Sequence, residues 1–237
     1  MTMSSTLVEV EQLFIQLELK CSSSVCVTAD KSGAGATSLA MALTERYLLS
    51  GYRTLYVDFN LFNPSFQTVE VSRNETVTDY QPVHSLNLIE HKRVQKVFAG
   101  FMAPPSKSEQ MPFRAPLSLQ THLATWLETY DRVVFDTSPL AQCNQSNIPT
   151  TVVANQCDAT ILVVAAQTSS NESVLTALNQ LEANDCPFVG IALNQFRTRS
   201  LSEDIMSSPF FYRTLPRRIQ TTFERFMSKY ALFQQAT

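Results

Sequence analysis

The sequence predicts an α/β protein: a doubly wound, mostly parallel sheet flanked by helices. Short, almost continuous apolar segments alternate with amphipathic segments along most of the 237 residues, a pattern typical of parallel strands that are covered on both faces. In addition, a loop of small residues joins the first strand to a helix. Such a connection places backbone N–H groups and a helix N-terminus around one point, where an anion, typically a phosphate, is expected.

Composition indicates one soluble domain over residues 1–237. Hydrophobic residues make up 44% of the chain and charged residues 16%, which excludes a disordered protein. The net charge of −3 gives no general reason to expect nucleic-acid binding. The five cysteines include no C-x-x-C pair, so we expect reduced thiols. Without a signal sequence or an apolar run near the ~20 residues of a membrane span, the prediction is cytoplasmic, at most peripheral at the inner membrane.

The first half of the chain begins with an amphipathic segment and continues into a strand–helix–strand unit. Gly51 follows the apolar helix pattern at the position of a C-terminal stop. The predicted elements are a helix over residues 5–20 capped by Ser5 or Thr6, with Leu7, Val10, Phe14 and Leu17 apolar, a strand over 24–28, a helix from Thr37 or Ser38 to about Ser50, and a strand over 54–58.

The second half continues the alternation after a polar, irregular stretch over 66–84. Residues 100–116 contain four prolines and are predicted as a surface loop. The remaining predicted elements are two short strands, or a strand and a connector, over 86–90 and 94–99, a helix over 117–130, a strand over 131–136, a loop and short helix over 144–155, a buried strand over 159–165, a helix over 172–183, a buried strand over 188–194 and a helix over about 215–233.

The loop between the first strand and its helix is the strongest functional signal. The chain has only 5 glycines, and two of them, Gly33 and Gly35, lie in this loop. Glycine is needed where the backbone adopts unusual dihedrals or approaches a ligand closely. Polar side chains at the ends of three other strands, Asp58, Asp136 and Asn194, fall at the same carboxyl edge of the sheet, where doubly wound folds bind ligands.

These segments resemble a known superfamily over roughly residues 8–200. Lys31-Ser-Gly-Ala-Gly-Ala-Thr37 resembles the deviant phosphate loop K-G-G-x-G-K-[ST] of the MinD/ParA ATPases. The segments over 55–65 and 130–139 resemble the I-D-x-D-L-R-x-P-S and Y-D-x-V-I-I-D-T-P-P segments of bacterial tyrosine kinases (BY-kinases), and 157–164 and 190–194 resemble later strands of that fold. The resemblance implies a P-loop NTPase fold that binds ATP or ADP with Mg²⁺.

The resemblance also implies a role for each site residue. The loop backbone would wrap the phosphates, Asn194 would contact adenine, and Lys31 would reach a partner's nucleotide across a homodimer. Mg²⁺ would be held by Thr37, Asp58 and Asp136, partly through water, and Asp58 would activate or orient the attacking group. The implied nucleotide-binding residues are Ser32, Gly33, Ala34, Gly35, Ala36, Thr37, Ser38 and Asn194, and the implied catalytic residues are Asp58 and Lys31.

The departures from the family pattern argue against an efficient kinase. Ala36 occupies the position of the phosphate-loop lysine, and loss of such a cation costs on the order of 3–5 kcal/mol in the transition state. Asn60 replaces an acidic residue, Phe62 and Asn63 replace basic residues, and the C-terminus lacks a tyrosine cluster. Similar departures in this loop occur in relatives that resemble TadZ and BcsQ.

Three functions remain open at the level of sequence. The first is a nucleotide-binding regulator or scaffold of a cell-envelope machine, with polysaccharide export and pilus assembly as candidates by analogy and an envelope or polysaccharide-export membrane protein as partner. The second is a working ATPase in which Lys31 replaces the missing loop lysine. The third is a nucleotide-free pseudo-kinase that acts through protein contacts. The helix over 215–233, with apolar residues on one side and basic residues elsewhere, is predicted to pack on the sheet, with contact to a membrane surface or a partner as alternatives.

Overall fold

The computed structural model describes residues 7–69, 87–142 and 147–195. These residues lie within one compact unit that ends at Asn194, apart from Gln195. The strands are β1 (Ser24–Ala29), β2 (Thr54–Phe59), β3 (Phe66–Val69), β4 (Asn87–His91), β5 (Val97–Met102), β6 (Arg132–Thr137), β7 (Ala159–Ala165) and β8 (Phe188–Asn194). The helices are α1 (Val8–Leu19), α2 (Ala36–Leu49), α3 (Lys107–Arg114), α4 (Pro116–Thr129), α5 (Thr150–Gln156) and α6 (Asn171–Ala183), and Leu140–Gln142 forms a 3₁₀ turn.

All of these strands join one sheet in the order β3-β4-β5-β2-β6-β1-β7-β8. Strands β5, β2, β6, β1, β7 and β8 pair in parallel, whereas β3 and β4 extend the β5 edge in an antiparallel manner. The predicted fold class, a doubly wound and mostly parallel α/β sheet, is therefore confirmed.

The side chains of the central strands alternate between two helical layers. On β2, Leu55, Val57 and Phe59 join an apolar cluster with buried residues of α3, α4, α5 and α6. The opposite face of the sheet is covered by α2, which packs against β1, β2 and β6, and α1 packs on α2. Asp58 lies one residue out of phase with the apolar cluster, so its side chain is on the α2 face.

The end of α2 forms the C-terminal stop that the sequence predicts. Gly51 has a φ of +87°, and its N–H donates to the Leu48 carbonyl. The N–H of Tyr52 donates to the Tyr47 carbonyl at 3.1 Å. These two bonds satisfy the last carbonyls of the helix and are the pattern of a Schellman motif.

The start of α1 differs from the prediction. The helix begins at Val8 with Leu7 as its N-cap, and no side chain caps it. The predicted caps, Ser5 and Thr6, lie outside the described residues. Val10 and Leu17 are buried as predicted, whereas Leu7, which is the N-cap and precedes the helix, is 42% exposed. The ring of Phe14 lies 4.0 Å from the Arg46 guanidinium carbon.

The predicted surface loop over 100–116 is wrong. Strand β5 runs to Met102, α3 follows, and α4 begins at Pro116. The first N–H groups of a helix have no partner within the helix, so proline, which lacks an N–H, suits the first position of α4 at Pro116. Pro112 lies within the short helix α3. The completely buried Phe113 stabilises α3 against the core, a tertiary contact that outweighs the local proline signal.

Two strands also differ from their predictions. The sequence does not predict β3, because its four residues Phe-Gln-Thr-Val show no clear strand pattern and only Phe66 is completely buried. The strand forms by pairing with β4. β8 has the predicted bounds but is not buried, with Ile191 46% and Leu193 57% exposed. Among the described strands only β7 pairs with β8, so β8 lies at the sheet edge there.

The remaining predictions of secondary structure agree with the described elements within a few residues. The predicted helix over about 215–233, its membrane or partner contacts and most of the polar stretch over 66–84 lie outside the described residues. Within residues 7–69, 87–142 and 147–195, no helix is long and apolar enough to cross a bilayer.

Candidate functional site

The loop between β1 and α2 has the backbone geometry that the glycine positions predict. Gly33 has a φ of +82° and Gly35 a φ of +103°, both in the left-handed region that side chains other than glycine rarely adopt. Gly35 is the N-cap of α2, and its carbonyl accepts the first helical bond from the Leu39 N–H. The helix therefore begins at Ala36, one residue before the predicted start, and its first-turn N–H groups lie beside the loop.

The charged groups of this loop are few. Ala36 stands at the position of the family lysine and is 7% exposed. Lys31 is partly buried at the start of the loop and forms no ion pair with another described residue. Ser32 and Gly33 are exposed, Ala34 is buried, and Thr37 and Ser38 are partly buried.

Two carboxylates meet beside the loop. Asp58 of β2 and Asp136 of β6 are register partners on neighbouring parallel strands, so both side chains are on the α2 face. The Thr37 hydroxyl donates to Asp136 Oδ2 at 2.7 Å, and the Tyr56 hydroxyl donates to the same oxygen at 3.1 Å. Thr37, Asp58 and Asp136, which the sequence places on three separate segments, thus form one cluster.

Burial dominates the electrostatics of this carboxylate pair. Asp58 is 4% exposed and Asp136 is fully buried. Burial raises the pKa of Asp58 to about 6, against the lowering effect of the Asn60 backbone N–H and the positive charge of Lys92. Burial raises the pKa of Asp136 to about 8, and the neighbouring Asp58 raises it further, although the Thr37 and Tyr56 hydroxyls oppose the shift.

One oxygen of each carboxylate has no hydrogen-bond partner among the described residues. These atoms are Asp58 Oδ2 and Asp136 Oδ1, and both are buried. An unpartnered carboxylate oxygen in a protein interior is costly, and such atoms need an explanation. A divalent cation would satisfy both oxygens and offset the repulsion between the two carboxylates. Mg²⁺ binds hard oxygen ligands, so Thr37, Asp58 and Asp136 fit the ion that the sequence implies.

The segment after β2 folds back over this cluster. The Asn60 N–H donates to Asp58 Oδ1 at 3.0 Å, and the Asn60 side-chain amide lies 3.5 Å from Thr37 Oγ1. The Asn60 side-chain oxygen accepts from the Asn63 N–H at 3.2 Å. Asn60, the residue that replaces a family carboxylate, therefore orders the turn beside Asp58 without adding a third negative charge.

Two further side chains connect the loop to the β7–β8 half of the sheet. The Asn194 side-chain amide donates to the Ala34 carbonyl at 2.9 Å. The Asp30 carboxylate, with no exposed surface, accepts from the Ser169 hydroxyl at 2.9 Å and from the Ser173 hydroxyl at 2.7 Å. Sequence reasoning identified Asn194 but missed Asp30 and its serines.

The structure thus brings every predicted site residue to one edge of the sheet. The loop, Thr37, Asp58 and Asp136 are in contact, and Asn194 contacts the loop itself. The adenine contact expected for Asn194 and the catalytic roles of Lys31 and Asp58 stay predictions. Asp30 and Tyr56 could have been predicted as site residues from the sequence. Asp30 is a carboxylate directly after a strand, and Tyr56 lies two residues before Asp58 on the same face of β2.

Comparisons with known proteins agree with this architecture. No family model matches the chain. The chain is 25% identical over 195 residues to the putative tyrosine-protein kinase CapB of Staphylococcus aureus, covering 80% of each protein. It is 23% identical over 175 residues to the tyrosine-protein kinase CpsD of Streptococcus pneumoniae, covering 72% of this chain and 75% of that protein.

Solved structures give the same result for the fold. The VpsO kinase domain aligns with a TM-score of 0.57 at 18% identity, over 79% of this chain and 93% of that chain. The kinase domain of the Escherichia coli tyrosine kinase ETK aligns with a TM-score of 0.54 at 17% identity, over 80% of this chain and 74% of that chain. The predicted resemblance to P-loop proteins with a BY-kinase-like body is confirmed.

Proposed function

We propose that this chain, whose relatives include bacterial tyrosine kinases, is a nucleotide-binding regulator or scaffold with impaired hydrolysis. It binds ATP or ADP with Mg²⁺ and acts on a cell-envelope machine such as exopolysaccharide synthesis or export. The envelope assignment follows from analogy with the kinase relatives. The proposed partner is an envelope or polysaccharide-export membrane protein. The proposed location of the chain is the cytoplasm or the inner membrane surface.

One observation carries the nucleotide-binding part of the proposal. A loop with two left-handed glycines leads into the N-terminus of α2, directly beside a hydroxyl and two buried carboxylates, each with one oxygen that has no hydrogen-bond partner in the described part of the chain. The loop and the helix N-terminus supply N–H donors for phosphate oxygens, and the carboxylates supply oxygens for Mg²⁺. These two sets of groups support the proposal of a magnesium–nucleotide site.

Impaired hydrolysis follows from Ala36. Phosphoryl transfer depends on positioning and on positive charge near the β- and γ-phosphates. A buried methyl group at position 36 supplies no charge, whereas the backbone donors that bind the phosphates do not depend on that side chain. Binding therefore survives the replacement better than turnover does.

The decisive experiment restores the missing cation. Titration calorimetry of ATP and ADP with Mg²⁺, combined with a phosphate-release assay, is expected to show binding without appreciable turnover in the wild-type protein. Ala36→Lys is expected to increase the rate of phosphate release by at least about tenfold, because a transition-state cation contributes several kcal/mol. Ala36→Met is the matched control, with a side chain of similar length and no charge.

Two outcomes would contradict this proposal. Absence of nucleotide binding by a folded wild-type protein would favour the nucleotide-free alternative, in which the chain acts through protein contacts. Appreciable turnover by the wild-type protein that Lys31→Ala abolishes would favour the ATPase alternative. The ATPase alternative is supported by the position of Lys31, a partly buried cation at the start of the loop without an ion pair in the described segments.

A further inference from the structure

We infer that Asp30 and Asn194 are positioning residues that hold the phosphate loop in its binding geometry before any ligand arrives. This inference rests on the proposed nucleotide function and adds a role for residues that contact the loop rather than the reacting atoms. The two residues and the serines that bind Asp30, Ser169 and Ser173, are called the loop clamp below.

The first part of the clamp fixes the start of the loop. Asp30 follows β1 directly and has no exposed surface. Its carboxylate accepts hydrogen bonds from two serine hydroxyls, Ser169 before α6 and Ser173 in the first turn of α6. The two hydroxyls contact separate oxygens of the carboxylate, at 2.9 and 2.7 Å, and the Ser173 hydroxyl also lies 2.9 Å from the Ser170 carbonyl, so Ser169 and Ser173 together hold this residue in place.

The serines themselves are fixed by their own backbone contacts. Ser173 is the third residue of α6, and its hydroxyl accepts from the Ser170 N–H at 3.2 Å in a capping box. The Ser169 hydroxyl accepts from the Ala165 N–H at 3.2 Å, at the end of β7. The loop is therefore tied to the junction between β7 and α6.

The second part of the clamp fixes the far side of the loop. The Asn194 side chain, at the end of β8, donates to the Ala34 carbonyl at 2.9 Å. In a planar trans peptide the carbonyl and the following N–H point in opposite directions. Binding the Ala34 carbonyl therefore directs the Gly35 N–H away from Asn194.

The same reasoning applies at the start of the loop. The Asp30 carbonyl accepts from the Ala141 N–H at 3.2 Å, so the Lys31 N–H points away from the 3₁₀ turn. The loop between these two fixed peptide units contains Gly33 and ends at Gly35, the residues with most conformational freedom to lose. A loop that is ordered beforehand pays less conformational entropy when a ligand binds.

The test compares the clamp with matched hydrogen bonds elsewhere in the chain. Asp158 accepts from the Ser24 hydroxyl and N–H at the opposite end of β1, so Asp158→Asn is the control for Asp30→Asn. The Asn155 side-chain amide donates to the Asn184 carbonyl at 2.9 Å, so Asn155→Ala is the control for Asn194→Ala. Both controls remove similar bonds outside the loop.

The readout is backbone amide hydrogen exchange of the ligand-free protein, followed by mass spectrometry over residues 31–38. Asn194→Ala and Asp30→Asn are expected to accelerate exchange in this segment by about three- to tenfold, the effect of losing one hydrogen bond. The controls should leave exchange there unchanged. Ser173→Ala should reproduce part of the Asp30 effect.

Nucleotide affinity provides the second readout. Each clamp variant is expected to raise the Kd for ATP–Mg²⁺ by about three- to tenfold, whereas the controls change it less than twofold. Equal exchange in clamp and control variants would overturn the inference. Accelerated exchange in a protein that binds no nucleotide would instead overturn the proposed function and leave the clamp in place.

Discussion

At the scale of single residues, the buried carboxylate pair is the most unusual feature of the chain. Asp58 and Asp136 lie on adjacent strands, yet only one oxygen of each is hydrogen-bonded within the described structure. The hydroxyls of Thr37 and Tyr56 both donate to the same oxygen of Asp136, which leaves the other oxygen for a ligand. These buried carboxylate oxygens lower the stability of the ligand-free protein, because burying a polar atom without a hydrogen bond is unfavourable.

This cost predicts a pH dependence of stability. The pKa of Asp136 is raised to about 8 in the folded protein, above its ordinary value of 3.8, so the folded state binds more protons than the unfolded state between these values. The free energy of unfolding therefore falls as pH rises from about 4 to 8, by at most about 1.4 kcal/mol per pH unit for one group. Urea unfolding of the protein in a chelator would measure this slope.

The matched variant for this prediction is Asp136→Asn, which keeps the shape of the side chain and removes its titration. We expect the variant to show a flatter pH profile and to be at least as stable as the wild-type protein at pH 8. A wild-type profile that rises with pH over this interval, or a variant with the same slope, would contradict the assigned charge state.

At the scale of elements, glycines determine where a helix ends and how closely two strands pack. Gly51 ends α2 with a φ of +87° and a Schellman motif. Gly51→Ala is expected to lower the free energy of unfolding by about 1 kcal/mol, because a residue with a Cβ is strained in the left-handed conformation. Steric overlap is not the cause, since an added Cβ meets no atom within 4 Å.

The control for Gly51→Ala is Gly190→Ala in β8. An added Cβ at Gly190 also meets no atom within 4 Å, and its φ lies outside the left-handed region. Chemical unfolding should therefore show no loss of stability for Gly190→Ala. Similar losses in both variants would indicate that backbone strain is not the cause.

Gly100 acts by a different mechanism, close packing between strands. A Cβ at this position would lie 2.3 Å from Ile89 Cδ1 and 2.9 Å from the Tyr56 carbonyl oxygen. Gly100→Ala is therefore expected to destabilise the protein by about 1–3 kcal/mol, since the neighbouring strands must shift. Thermal unfolding measures the loss. Because Ile89 Cγ1 also lies 2.5 Å from the added Cβ, Gly100→Ala combined with Ile89→Ala should cost less stability than the sum of the two single changes if Ile89 causes the clash.

At the scale of the whole molecule, the family resemblance of the sequence predicts a homodimer in which Lys31 reaches the partner's nucleotide, and we propose that this dimer forms when nucleotide binds. Light scattering is expected to show a monomer without ligand and a dimer with ATP–Mg²⁺. Lys31→Ala should weaken the dimer about tenfold or more, because a cation beside phosphates contributes at least 1.4 kcal/mol. Lys20→Ala, at an exposed turn after α1, is the control. A nucleotide-bound monomer would argue against this mode of assembly.

Much of the molecule could be predicted from the local sequence. The apolar runs of β1, β2, β6 and β7 set the parallel sheet, because strands covered on both faces need no polar side. The glycines of the loop between β1 and α2, Gly51 at the end of α2, and the carboxylates at strand ends could be predicted for the same reason, because each depends on its immediate neighbours in the chain.

Other features were decided by contacts between distant segments. The proline-rich stretch after β5 contains α3 because Phe113 is buried against the core, and β3 is defined by its pairing with β4. The edge position of β8 within the described sheet, the convergence of two hydroxyls on one oxygen of Asp136, and the bonds from Asp30 to Ser169 and Ser173 also required the fold. A sequence specifies which groups are available, but only tertiary packing decides which atoms pair and which are left for a ligand.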